Sequence, residues 1–141
     1  MRRQIVGILS VFGLLLVAAC ANAQTLSVKA NVPFGFVVDK GALPAGAYSI
    51  RSINDAIGGT TLLIQNGTKS MELVNSNVAD SLNAAKTSHL TFHRYGDQYF
   101  LAEIWVQGEK VGRKFRMTRR EAEIATNLQR SDDAIVLASL R

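Results

Sequence analysis

The two histidines of this chain, His89 and His93, stand in the spacing H-x-x-x-H. On a helix that spacing sets both imidazoles on one face, ready to share a metal ion. Their neighbours Leu90, Thr91, Phe92 and Tyr95 favour a strand instead. Four residues along a strand hold two side chains roughly 13 Å apart, too far to ligate one ion. No cysteine or acidic cluster completes a donor set, so neither a metal nor a cofactor is expected. A histidine beside a carboxylate brought close by the fold could still do acid–base work. A small exported hydrolase using His89 or His93 is therefore one reading. The serines add nothing to it: none stands in G-x-S-x-G or S-x-x-K, and the chain has no glycine-rich phosphate loop.

Charge offers a second chemistry. Lys110, Arg113, Lys114, Arg116, Arg119 and Arg120 put six cations into eleven residues. Segment 110–120 could bind a polyanion of the cell envelope, or it could be a solvated strand face followed by a helical turn. Arginines at the start of a helix oppose its dipole, which suggests that they answer to a demand other than helix stability.

Aromatic residues offer a third. Two expected hairpins gather Arg94, Tyr99, Leu101, Glu103, Trp105, Lys114 and Arg116 on one face, with Trp105 across from Gly112. Glycine leaves the indole uncovered. Arg94, Tyr99, Trp105, Lys114 and Arg116 are thus the expected contact surface, a platform for a glycan or peptide. The competing reading covers this face with the helix or another strand and makes Glu103–Lys114 an ordinary cross-strand pair.

The elements that must position these residues are mostly strands. Leu26, Val28, Ala30 and Val32 alternate at period 2, and Pro33 breaks the ladder before Phe34–Val38. Asp39-Lys40-Gly41 and Leu43-Pro44-Ala45-Gly46 read as turns, the second feeding a strand from Tyr48 to Arg51. Asn66-Gly67 signals a two-residue hairpin that sets Leu62 opposite Met71 and Ile64 opposite Lys69. Residues 75–86, rich in Asn, Ser, Asp and Ala, read as a loop. A hairpin at Gly96-Asp97 pairs Phe92 with Leu101, His93 with Phe100 and Arg94 with Tyr99; another at Gly108-Glu109 pairs Glu103 with Lys114. Phe100, Ala102, Ile104, Val106, Val111, Phe115 and Met117 form the expected core face. Thr118-Arg119-Arg120-Glu121 fits a capping box opening a short helix with Ala122, Ala125 and Leu128 as its apolar stripe, and Ile135–Ala138 reads as a last strand. The expected fold is mainly β: an antiparallel sandwich or small partly closed barrel of about eight strands, with one short C-terminal helix.

The N-terminus has the three parts of a secretory signal: Arg2 and Arg3, an apolar run from Ile5 to Ala19, and Ala21-Asn22-Ala23 as cleavage site. The run is shorter than the roughly 20 residues that span a bilayer. Cleavage after Ala23 leaves one domain of residues 24–141, without a transmembrane span, and lowers the net charge from +5 to +3. That balance does not point to nucleic acid. The single cysteine, Cys20, lies inside the signal, so the mature chain can form no disulfide. Val17-Ala18-Ala19-Cys20 also resembles a lipobox, which would tether the protein through a lipidated Cys20. Either route places the protein in the periplasm or outside the cell.

Three stretches carry a family resemblance: Val32-Pro33-Phe34-Gly35-Phe36, Leu43-Pro44-Ala45-Gly46-Ala47-Tyr48, and Arg94 to Leu101 continuing through Ile104-Trp105. In order and spacing the chain resembles small exported β-rich proteins abundant in acidobacterial genomes. The resemblance implies export and a β fold, and it implies no activity and no site residue.

Overall fold

The computed structural model describes residues 26–56, 59–67 and 70–140. The expected signal segment, with Cys20 and its alternative lipidation, lies outside the described residues. Ten strands and one helix follow in chain order: β1 (Ser27–Val32), β2 (Phe36–Val38), β3 (Gly41–Leu43), β4 (Gly46–Ala56), β5 (Gly59–Asn66), β6 (Ser70–Asp80), β7 (His89–Tyr95), β8 (Gln98–Trp105), β9 (Val111–Lys114), α1 (Arg119–Asn127) and β10 (Ala134–Leu140). No helix among the described residues is long and apolar enough to cross a membrane.

Eight of the strands close into an antiparallel barrel, in the order β1-β4-β5-β6-β9-β8-β7-β10 and back to β1. The short hairpin β2–β3 lies on β8, with β2 parallel to it. Closure follows from two meanders laid in opposite senses. The first runs outward from β1 through β4 and β5 to β6. The chain then crosses along residues 81–88, and β7-β8-β9 return so that β9 meets β6. Residues 81–88 are held to the β8–β9 turn by Ser81 N–H to Lys110 C=O, Ala85 N–H to Glu109 C=O and Gly108 N–H to Ala85 C=O. A closed barrel leaves no unpaired edge among its strands, which solves the edge problem that an open sandwich must manage by other means.

Alternation in the strands supplies the interior. Val28, Ala30 and Val32 from β1, Ile50 from β4, Leu62 and Ile64 from β5, and Leu90 and Phe92 from β7 are buried in one cluster. Phe36 packs edge-on against Tyr48 and Phe92, with centroids 5.2 and 5.3 Å apart. The Tyr48 hydroxyl donates to the Pro44 carbonyl, four residues back, and so ties the Leu43–Gly46 turn to the core.

Several strand expectations hold, and others shift for identifiable reasons. The Gly96-Asp97 hairpin has the expected register, Arg94 with Tyr99, His93 with Phe100 and Phe92 with Leu101. Glu103 pairs with Lys114 as expected. At the Asn66-Gly67 turn the loop is longer than two residues: Asn66 pairs with Ser70, which puts Val74, not Met71, opposite Leu62. The odd shift swaps faces; Val74 enters the core and Met71 is 64% exposed. Residues 75–80 are not loop but the second half of β6. Ser76 tolerates burial there because its hydroxyl donates to the Thr60 carbonyl across the ladder, at 3.0 Å.

The largest correction concerns β8. Phe92 pairs with Leu101 and Thr91 with Glu103, so Ala102 is an extra residue, a β-bulge. Leu101 and Ile104 consequently both face the barrel interior. Phe100 lies outside that cluster and packs edge-on against Tyr95, while Val111 and Met117, expected in the core, are about half exposed.

Candidate functional site

Helix α1 organises the chemistry because of the path the chain must take. From β9 it has to reach β10, which lies beside β7, and the helix is the connection between them. Thr118 caps the helix, its hydroxyl accepting from the Glu121 amide at 3.2 Å. The reciprocal half of the capping box does not form. The Glu121 carboxylate turns instead toward β7, where one oxygen meets His93 Nδ1 at 2.7 Å and accepts from the Tyr95 hydroxyl at 3.2 Å. Glu121, and not the expected Ala122–Ala125–Leu128 stripe, is the buried residue of the helix. Burial and the nearby Glu121 carboxylate raise the Tyr95 phenol above its ordinary pKa. Arg130 stands close enough to act on Tyr95 electrostatically, itself clamped by both carboxylate oxygens of Asp133 at 3.0 and 2.7 Å.

A second constellation lies at the start of the same helix. The β2–β3 turn is tight, Val38 pairing with Gly41, and Asp39 accepts a left-handed φ of 51° to make it. Aspartate tolerates that region better than most residues. The turn brings Asp39 and Lys40 to Arg116, Arg119 and Arg120, and together they line a cleft of about 450 Å³ floored by Val37, Met117 and Thr118. Arg119 reaches Glu123 at 3.2 Å in an exposed pair of little energetic weight. Lys40, Arg116 and Arg120 have no ion-pair partner among the described residues. Four cations thus face one acid.

Of the five residues expected to share a contact face, the structure brings together some and separates others. Arg94 lies 5.6 Å from the Tyr99 ring centroid, and Tyr99 stacks on Phe34 at 3.8 Å, so Tyr99 packs with the core aromatics while Arg94 stays exposed. Trp105 lies beyond the Ala102 bulge, over Gly112, where an added Cβ would sit 2.7 Å from the indole. Its ring N–H donates to Glu103 at 2.8 Å. Lys114 is in register with that same Glu103. Arg116 belongs to the cleft with Lys40. The bulge is what divides the set: one inserted residue turns Tyr99 and Leu101 inward and leaves Glu103 and Trp105 outside.

No protein-family model, curated protein or solved structure matches this chain.

His93 has the acid partner that the hydrolase reading asked for, in Glu121. His89 is apart from it and bonds through Nδ1 to the Thr87 carbonyl at 2.9 Å. The His93–Glu121 pair is not joined by a serine in its hydrogen bonds, and the cleft at Lys40 does not reach it. Neither do the three other principal clefts of the described surface. No group of three or more metal-ligating side chains occurs among the described residues. Sequence reading missed Lys40, which carries no signal of its own, and missed the burial of Glu121. The signal for the cleft was the adverse placement of arginines at a helix start.

Proposed function

We propose that the chain is an exported, non-enzymatic β-barrel domain that binds an anionic polymer of the cell envelope through the Lys40–Arg116–Arg119–Arg120 cleft. One observation carries this reading: cations from two separate chain segments converge on one cleft, and three of them have no ion-pair partner among the described residues. Four cations gathered around one lining acid, Asp39, repel one another, so the arrangement costs stability unless an external anion offsets it. Of the six cations in segment 110–120, Arg116, Arg119 and Arg120 line the cleft, joined by Lys40 from a turn far away in sequence. The N-terminal pattern of two arginines, an apolar run and Ala21-Asn22-Ala23 supports export.

The reading is tested by binding of inorganic polyphosphate and of lipopolysaccharide to the mature protein as salt is varied. Four phosphate contacts imply a loss of roughly 50- to 150-fold in affinity between about 50 and about 200 mM salt. Replacing Arg116 and Arg120 by glutamine should about halve the slope of log affinity against log salt. Binding that ignores salt, or that survives the double substitution unchanged, refutes it. Intact mass of the exported protein checks the other half, distinguishing a free N-terminus at Gln24 from a lipidated Cys20; an uncleaved chain contradicts export by either route.

A further inference from the structure

The cationic cleft does not end at Arg116. A second cleft of about 430 Å³ is lined by Asp39 and Arg116 as well, and continues along Asn75 and Asn77 of β6 beside Phe115. The two clefts share Asp39 and Arg116, so they form one groove with a cationic half and a half lined by the amides of Asn75 and Asn77, the Phe115 ring, Leu73 and Val74. The change in chemistry along it is sharp. Lys40, Arg119 and Arg120 lie only in the first half, Asn75, Asn77 and Phe115 only in the second.

We infer that this groove is a site for an acidic polysaccharide, with charged substituents held in the cationic half and a sugar ring in the amide half. The inference rests on the polyanion reading and narrows its ligand class. A bare polyphosphate offers the second half acceptor oxygens alone, with no hydroxyl donor and no ring surface for Phe115. A saccharide offers hydroxyls that both donate and accept, which is the pairing an asparagine amide satisfies, and ring C–H surfaces that settle against an aromatic side chain. Asn75 and Asn77 point along one face of β6, two residues apart, so their amides repeat at about 7 Å. Asn75 Oδ1 accepts from Thr61 at 2.9 Å, which leaves its amide N–H₂ to donate and fixes the orientation of the group. Asn77 pairs in register with Lys114, so a cation also borders this half.

The test compares one polyuronate oligosaccharide with inorganic polyphosphate on the wild type and on an Asn75→Ala/Asn77→Ala double variant. The expected result is a roughly tenfold loss of polyuronate affinity with polyphosphate affinity held within twofold. Equal losses for both polymers, or no loss for either, overturn the saccharide inference and leave the polyanion reading standing. Failure of the wild type to bind either polymer at low salt overturns that reading itself. Should the double variant not fold, the side-chain amide resonances of Asn75 and Asn77 in the wild type give the same decision. Polyuronate should shift them and polyphosphate should not; shifts by both or by neither overturn the inference.

Discussion

On the barrel side of α1, the Glu121 carboxylate is 5% exposed and holds two partners, His93 and Tyr95. At the start of the same helix, Arg116 and Arg120 are exposed, and with Lys40 they hold no ion-pair partner among the described residues. The first region has the look of catalytic machinery, a histidine oriented by an acid, yet its hydrogen bonds tie helix to barrel. The second has the look of ordinary solvated surface, yet its cations outnumber its acids and three of them have no ion-pair partner among the described residues. A satisfied buried cluster acts on stability, because water has been replaced by partners of fixed geometry. An unsatisfied exposed cluster costs stability and has free energy available for a ligand. The two regions should therefore respond oppositely to substitution.

The largest effect is expected at Glu121. Alanine there removes the shared partner of His93 Nδ1 and the Tyr95 hydroxyl. A loss of about 2 kcal/mol in unfolding free energy is expected, since a buried phenol and a part-buried imidazole lose their partner together. Chemical denaturation measures it. Polyphosphate affinity of the folded variant should change by less than about threefold, because the cleft residues are held by the 115–118 segment and the β2–β3 turn as well. A stability change under about 0.5 kcal/mol would break the comparison, showing that the junction holds little.

The outline of the molecule was legible in the sequence, and the departures have two physical sources. The Gly96-Asp97 turn specified its register because two-residue loops permit few geometries, and the structure keeps every pair expected of it near the turn. Farther along the same strand, the Ala102 bulge has no residue signature, since alanine neither favours nor resists it. On the turn side of the bulge Tyr99 and Leu101 face inward, where the outer face was expected, while Glu103 and Trp105 beyond it stay outside, and this divides the expected Arg94–Tyr99–Trp105 surface. The other source is non-local pairing. Ser76 reads as loop until Thr60, sixteen residues away, accepts its hydroxyl proton. Glu121 reads as a cap until His93 and Tyr95 are set beneath it. Lys40 reads as a turn residue until β2–β3 is laid on β8 and reaches the helix start. Local chemistry shows the element, and only closure of the barrel shows what the element meets.

A smaller effect separates the hydrogen bond from the burial within the satisfied region. Tyr95→Phe removes one donor to Glu121 and should cost about 1 kcal/mol at neutral pH. The sign changes character in alkali. In the folded protein the Tyr95 phenol is raised, by burial first and by Glu121 next, so it keeps its proton where an unfolded tyrosine would lose it. Below about pH 10 both states are protonated and the group adds no pH dependence. Above that value the unfolded state ionises first, and stability falls with rising pH until the folded phenol ionises too. Tyr48, also raised by burial, contributes the same fall to wild type and variant alike. The gap between wild type and Tyr95→Phe should therefore narrow as pH climbs past 10, read by urea denaturation at successive pH values. Parallel curves would show that Tyr95 is not shifted by its surroundings.

The smallest effect in stability is the most telling for the cleft. Arg120 occupies the second position of α1, two residues after the Thr118 cap, where a positive charge opposes the helix dipole and adds to the repulsion from Arg116 and Lys40. Glutamine at that position should raise unfolding free energy by about 0.5 kcal/mol, the amount the dipole effect supplies at an exposed site. The same substitution should weaken polyphosphate binding at low salt by about threefold and flatten its salt dependence by roughly one unit of slope. Opposite signs for stability and binding are what a residue kept for a ligand produces, at a cost to the fold. Should Arg120→Gln lower stability instead, the arginine would be serving the fold through its stem or an unrecognised contact. The contrast between the two sides of α1 would then reduce to a difference in exposure alone.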